Sequence, residues 1–362
     1  MKLLSLACFG NLFCSSQEPL VKPFRDLSGK MYGERGTDQF YKLLERTVLD
    51  MDTPRETYLA QQCFNLGHLG LDLAIPTHMV MLIEHTKIDK KFSNELAAST
   101  IMAGTTHLSR SILLGVDKVY YRDSPHMMAF VAVEKPLSTL GDGSHRDVIT
   151  DMLLWAGIVC GVNEMHSRLV VHNNIHPGNV VSVLFGSSGA KTGRLRNFTQ
   201  SFSLSKGFEV AKIRNLNFTG TPYYSLPPEK LRKADGYYRV GYSTDIWSLG
   251  MILYKLIYDR EAFGHLPVHE REKCVLDRHC QLPRYKLRHR HFAPFERVVE
   301  KCLKRSKDSR PELKYVVRKT VEVFKLFQRT VYLPVGMERE WDPEENDHLL
   351  YLKKAQKLLE KI

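Results

Sequence analysis

The longest apolar stretch of the chain, residues 147–167 (DVITDMLLWAGIVCGVNEMHS), predicts a buried helix with Asp147 as its N-cap. Residues 180–184 and a second segment ending near Leu195 then read as short strands on either side of the turn Gly186-Ser187-Ser188-Gly189. Upstream, Thr53-Pro54-Arg55-Glu56 has the form of a capping box with proline in the first helical position. Tyr58, Leu59, Gln62, Cys63 and Leu66 continue that pattern to a stop at Gly67, which predicts a helix. Residues 71–75 and 79–84 read as a hairpin around Pro76-Thr77-His78. Near the C-terminus, Asp342-Pro343-Glu344-Glu345 caps a predicted helix that places Leu352, Ala355, Leu359 and Ile362 on one face. That helix either packs back on the preceding domain or serves a partner as a docking helix.

Composition places the chain among globular proteins. Its 362 residues are 43% hydrophobic and 25% charged, enough for two cores and unlike a disordered segment. The formal charge of +12 is spread widely. Its densest run, Arg284-Tyr285-Lys286-Leu287-Arg288-His289-Arg290-His291, reads as a solvated loop, with a docking patch for an acidic protein or nucleic acid as the alternative. Seven cysteines at irregular positions, Cys274 and Cys280 among them, give no metal-ligand spacing and are expected to be reduced. Residues 3–13 form an apolar run after Met1-Lys2, but Asn11 interrupts it and no small-x-small cleavage pattern follows. A cytoplasmic location is therefore expected, with secretion the alternative. No later stretch has the eighteen uninterrupted apolar residues of a membrane span.

The chemistry-bearing segments come in an order. His172-Asn173-Asn174-Ile175-His176-Pro177-Gly178-Asn179 follows the long helix; Arg196-Asn197-Phe198-Thr199 follows the two strands; then come Gly220-Thr221-Pro222 through Pro227-Pro228-Glu229, Asp245-Ile246-Trp247-Ser248-Leu249-Gly250, and Arg310-Pro311. Together these resemble, in order and separation, the catalytic loop, metal motif, activation segment and closing helices of the protein-kinase superfamily from about residue 70 to residue 328. His145-Arg146-Asp147 matches the loop's letters but precedes the helix instead of following it. The resemblance implies an α+β, bilobal kinase-like fold: a small β-rich N-lobe and a large helical C-lobe, with an N-terminal helical extension and a C-terminal helix. The expected boundaries are 1–66 for the extension, 67–328 for the kinase-like domain (lobes about 67–135 and 136–328) and 329–362 for the tail.

Against that pattern the catalytic groups are substituted. Asn174 stands at the position of the catalytic Asp, and its amide has no basicity to accept a hydroxyl proton. His176 replaces the loop lysine, leaving His172 as the retained loop histidine. Asn197 replaces the metal-binding Asp and offers magnesium only a neutral carbonyl, while Asn179 matches the second metal position. Leu66-Gly67-His68-Leu69-Gly70 is the candidate glycine loop, with a helix cap as the plainer reading, and no Lys or Arg occurs between Arg55 and Lys87. Ile83 therefore stands near the β3 lysine position, Glu95 fits the glutamate that would pair with that lysine, and Glu134 lies in the hinge region. Glu229, Asp245 and Arg310 occupy the positions of the family's structural ion pair and loop-holding carboxylate. Asn173 replaces the Arg that in many kinases receives an activation-segment phosphate.

These substitutions predict a pseudokinase that acts as a scaffold or allosteric regulator of a protein partner, such as an active kinase or another enzyme. No cofactor is expected, with weak ATP binding, with or without magnesium, as the alternative. The alternative function is a divergent ATP-binding Ser/Thr kinase with residual phosphotransfer. No strong nucleic-acid signal is present.

Overall fold

The computed structural model describes residues 26–33, 39–50, 55–65, 71–73, 78–84, 90–109, 111–121, 124–134, 137–142, 146–184, 191–214, 226–277, 279–331 and 352–362. The chain divides into two compact units, the first within Met1–Ala103, Ser109–Lys135 and Asn197–Gln200, the second within Gly104–Leu108, Pro136–Arg196 and Ser201–Ile362. This is an α+β, bilobal kinase-like fold.

The first unit is built on an antiparallel sheet. Its strands are β1 (Met31–Gly33), β2 (Gln39–Asp50), β3 (Arg55–Asn65), β4 (Leu71–Leu73), β5 (His78–Glu84), β6 (Ser111–Tyr121) and β7 (Ser124–Glu134), with helix α1 (Lys90–Ile101) between β5 and β6. The order is β1-β2-β3-β5-β7-β6, with β4 paired to β3. Tyr41, Leu43, Tyr58 and Ala60 are fully buried, and Lys42, Leu59 and Gln61 between them are half-buried, the two-residue alternation of strands.

Residues 55–65 thus correct the expected helix. The local Thr-Pro-Arg-Glu signal is overridden because the segment pairs on both edges, with Leu43 opposite Ala60 on β2 and Val80 opposite Tyr58 on β5. Long-range ladders satisfy its backbone on both sides, which a capping box at one end cannot match. The expected helical extension is therefore part of the sheet. The expected hairpin of 71–75 with 79–84 is also corrected, since β4 pairs with β3 and β5 lies between β3 and β7.

The second unit is organised around α2 (Val148–His166), which follows the short strand β8 (Ser138–Thr139). Asp147 caps the helix by accepting the Thr150 amide at 2.8 Å. Strands β9 (Val170–Val171), β10 (Val180–Leu184), β11 (Lys191–Leu195) and β12 (Phe202–Ser203) follow. Helix α2 lies backbone-close on β11: a Cβ on Gly157 would meet the Gly193 carbonyl at 2.2 Å, and one on Gly193 the Leu154 carbonyl at 2.4 Å. Strands β13 (Val210–Ile213) and β14 (Tyr238–Gly241) pair on either side of α3 (Pro228–Leu231).

The remaining helices are α4 (Tyr242–Tyr258), α5 (Val268–Leu276), α6 (Ala293–Cys302) and α7 (Leu313–Val331). The Trp155 indole donates to Thr320 Oγ1 at 2.9 Å and fastens α2 to α7. A tail helix, α8, spans 352–359; Leu352 and Leu359 are buried, and Glu360 pairs with Lys325 of α7 at 2.8 Å. The tail therefore packs back on its own domain. The basic run is anchored as well: Arg288 pairs with the buried Asp151 at 2.9 Å, beside Arg146 at 2.8 Å, and Arg284 pairs with Glu300. Cys274 and Cys280 form a disulfide, correcting the expectation of reduced thiols for these two, while Cys160 and Cys302 are free and buried. The short loop after α5 brings their Cα atoms to 5.3 Å. The apolar N-terminal run, the candidate glycine loop, the turn at 186–189, the segment 220–225 and the cap at 342–345 lie outside the described residues.

Candidate functional site

The loop after β9 is held from below by one carboxylate. Asp245, fully buried on α4, accepts the His172 amide at 2.9 Å and the Asn173 amide at 2.8 Å, and His166 Nε2 lies 2.9 Å from its second oxygen. Burial alone would raise the Asp245 pKa, but the His166 hydrogen bond and charge, His172 and the Asn173 amide together keep it below the ordinary value. Asn173 has φ of 62°, a left-handed conformation that asparagine tolerates better than most residues. Its carbonyl accepts the ammonium of Lys230, a 3% exposed side chain of α3.

Both loop histidines are neutral. Burial, the largest influence, pushes His172 down to about 4, with Asp245 opposing, and His176 down to about 3, with the charges of His172, Arg196 and Lys230 adding to the effect. His172 has a defined tautomer, since Nδ1 accepts the Asn174 amide at 3.2 Å and Nε2 donates to the Arg196 carbonyl at 3.2 Å. His176 Nδ1 accepts the Gly178 amide at 3.2 Å, and its Nε2 is buried without a hydrogen-bond partner. Asn174 is 3% exposed; Asn179, fully buried, uses its amide nitrogen to donate to the Asn174 carbonyl at 2.9 Å. Arg196 closes the turn by donating Nη2 to the Gly178 carbonyl at 3.0 Å.

At the closing end of the segment, Arg310 grips Glu229 with two nitrogens at 2.7 and 2.8 Å and also donates to the Ser243 carbonyl at 2.8 Å. In the first unit, Asn197 is buried with φ of 67°, its Oδ1 accepts the Thr199 hydroxyl at 2.6 Å, and Phe198 is fully buried. Asn94 of α1 donates to the Thr199 carbonyl at 3.3 Å. Glu95 lies on α1, Ile83 on β5 opposite Arg55, and Glu134 ends β7 opposite His78. Asp50 of β2 pairs with Arg55 of β3.

The structure brings His172, Asn174, His176, Asn179, Asp245 and Arg310, all buried, and the half-buried Glu229 into the second unit as hydrogen-bonded groups. Chemically, that set can fix a loop, and both of its carboxylates are engaged, Asp245 by backbone amides and His166 and Glu229 by Arg310. Among the described residues no group of three or more His, Cys, Asp or Glu is placed to hold a metal. Three contributors escaped the sequence reading: His166, Arg196 and Lys230. The signal for Lys230 was its place directly after Pro-Pro-Glu, where a charged residue enters an otherwise buried turn.

Comparison with known sequences agrees with this geometry. The family described as the protein kinase domain matches residues 133–321, more than half of the chain. Serine/threonine-protein kinase PLK2 of Mus musculus is 27% identical over 161 residues, 44% of this chain and 21% of that protein. Serine/threonine-protein kinase Nek3 of Mus musculus is 32% identical over 161 residues, 44% of this chain and 28% of that protein. The cell cycle serine/threonine-protein kinase CDC5/MSD2 of Saccharomyces cerevisiae is 32% identical over 121 residues, 32% of this chain and 15% of that protein. The chain spans less than a third of the length of each of these relatives.

Proposed function

Since this chain belongs to the protein kinase superfamily, we propose that it is a pseudokinase, a kinase scaffold that has kept its loop architecture and lost phosphotransfer. The observation that carries the reading is Asn174, 3% exposed at the base position, where its backbone N–H donates to His172 Nδ1 and its backbone carbonyl accepts from Asn179 Nδ2, so that the loop presents a carboxamide side chain there in place of a carboxylate. An amide there cannot take a proton from a substrate hydroxyl, and general-base assistance contributes on the order of 10²–10⁴-fold. The donor set does not fit a magnesium nucleotide: the two metal positions carry Asn179 and Asn197, neutral ligands for a hard cation, and Asn197 Oδ1 already accepts Thr199. The neutral His176 stands where the loop lysine would meet phosphate. With chemistry absent and the buried scaffold intact, the function is that of a scaffold or allosteric regulator of a protein partner.

The alternative, a divergent Ser/Thr kinase with residual phosphotransfer, is favoured by the relatives, which are named as serine/threonine-protein kinases. A thermal-shift titration of the full chain with ATP, with and without magnesium or manganese, alongside a phosphotransfer assay on general substrates, separates the two. The pseudokinase reading expects no transfer and no metal-dependent rise in melting temperature at millimolar nucleotide. Transfer that Asn179→Ala abolishes would overturn it.

A further inference from the structure

Resting on the pseudokinase reading of this loop, we propose that Lys230 is a built-in positioning cation that holds the catalytic loop to the end of the activation segment, making its conformation independent of phosphorylation. Asn173 stands where a phosphate-receiving Arg would be, and its left-handed backbone is fixed by the Asp245–amide bond at 2.8 Å. Asn173 is 1% exposed, and Lys230 Nζ donates to its carbonyl. The adjacent Glu229 is held by Arg310 at 2.7 Å, so consecutive residues of α3 fasten the segment's end in two directions.

Burial costs the Lys230 ammonium more than its charged neighbours return, and the neighbours offset part of that cost. Asp245 and Glu229 act on Lys230 as opposite charges, and His172 and His176, which feel its charge, are neutral and do not repel it. Of the segment's described serines, Ser201 is 2% exposed while Ser203 and Ser205 are exposed, and the Lys230 contact is made without a phosphate on any of them.

The test is hydrogen exchange by mass spectrometry on the full chain at neutral pH, before and after phosphatase treatment, with Lys230→Met, Lys230→Arg and Lys230→Gln. The phosphatase-treated wild type is expected to keep its protection over 170–181, and Lys230→Met to lose about tenfold there while α2 and α6 are unchanged. Lys230→Arg is expected to protect as the wild type does and Lys230→Gln to expose the loop. That pair decides the matter even if the methionine variant does not fold. Equal protection in Arg and Gln variants, or loop exposure on phosphatase treatment, would overturn the proposal. Phosphotransfer detected with the Lys230 effects intact would sink the pseudokinase reading and leave the tether standing.

Discussion

Arg310 and Glu229 are separated in sequence by 81 residues and by α4, α5 and α6 yet form a two-pronged pair at 2.7 and 2.8 Å, with the Arg310 side chain fully buried and Glu229 9% exposed. The pair joins the end of the activation segment to the turn before α7. Removing one member leaves the other buried and uncompensated. Arg310→Ala is expected to destabilise the fold by about 3–5 kcal/mol, measured by urea unfolding.

Asp245 gives stability an acid limit. Its folded pKa lies below its ordinary 3.8, so its contribution is complete above about pH 4 and is lost as pH falls through the depressed folded value. Asp245→Asn is expected to flatten this part of the pH–stability curve and to speed exchange of the His172 and Asn173 amides. An unchanged acid limb would contradict the assignment.

Lys230 acts at the other end of the scale. Burial lowers its pKa from 10.5 to about 8, against the pull of Asp245 and Glu229. Below pH 8 folded and unfolded states both hold the proton and no slope results. Between about pH 8 and 10.5 the unfolded state holds more protons, so stability rises with pH. Thermal melts across that window should show this rise in the wild type and a smaller one in Lys230→Met.

On the proposed pseudokinase reading, restoring one group should not restore the chemistry. Asn174→Asp supplies a carboxylate at the base position, but Asn197 and His176 remain. The variant is expected to stay without phosphotransfer in a sensitive radiolabel assay, and a gain of activity from this single change would count against the loss of the metal and phosphate groups.

Packing between α2 and β11 tolerates no side chain. A Cβ at Gly193 would sit 2.4 Å from the Leu154 carbonyl, a contact that only backbone movement relieves. Gly193→Ala is expected to cost about 1–3 kcal/mol in chemical unfolding.

Much of the second unit was legible before any coordinates. The α2 run, the Asp147 cap and the β10 and β11 strands depend on contiguous apolar pattern and local hydrogen bonds, which short windows of sequence carry, whereas α4 was legible through the kinase resemblance of Asp245-Ile246-Trp247-Ser248-Leu249-Gly250. The stretch 55–65 was misread because its local helix signals are genuine and its strand state is dictated by partners at 39–50 and 78–84. The Cys274–Cys280 bond and the grip of Arg288 on Asp151 were likewise invisible, since loop path and not spacing brings those atoms together.

For the candidate site, the sequence alone determined which chemical groups are present: amides at Asn174 and Asn197, a histidine at 176, a lysine at 230. Residue identity fixes acidity and charge before folding. Only the tertiary structure decided how those groups are used, because burial and distance set their protonation and partners. It made His172 and His176 neutral, gave Asp245 to the loop amides, and placed the Lys230 ammonium on the Asn173 carbonyl.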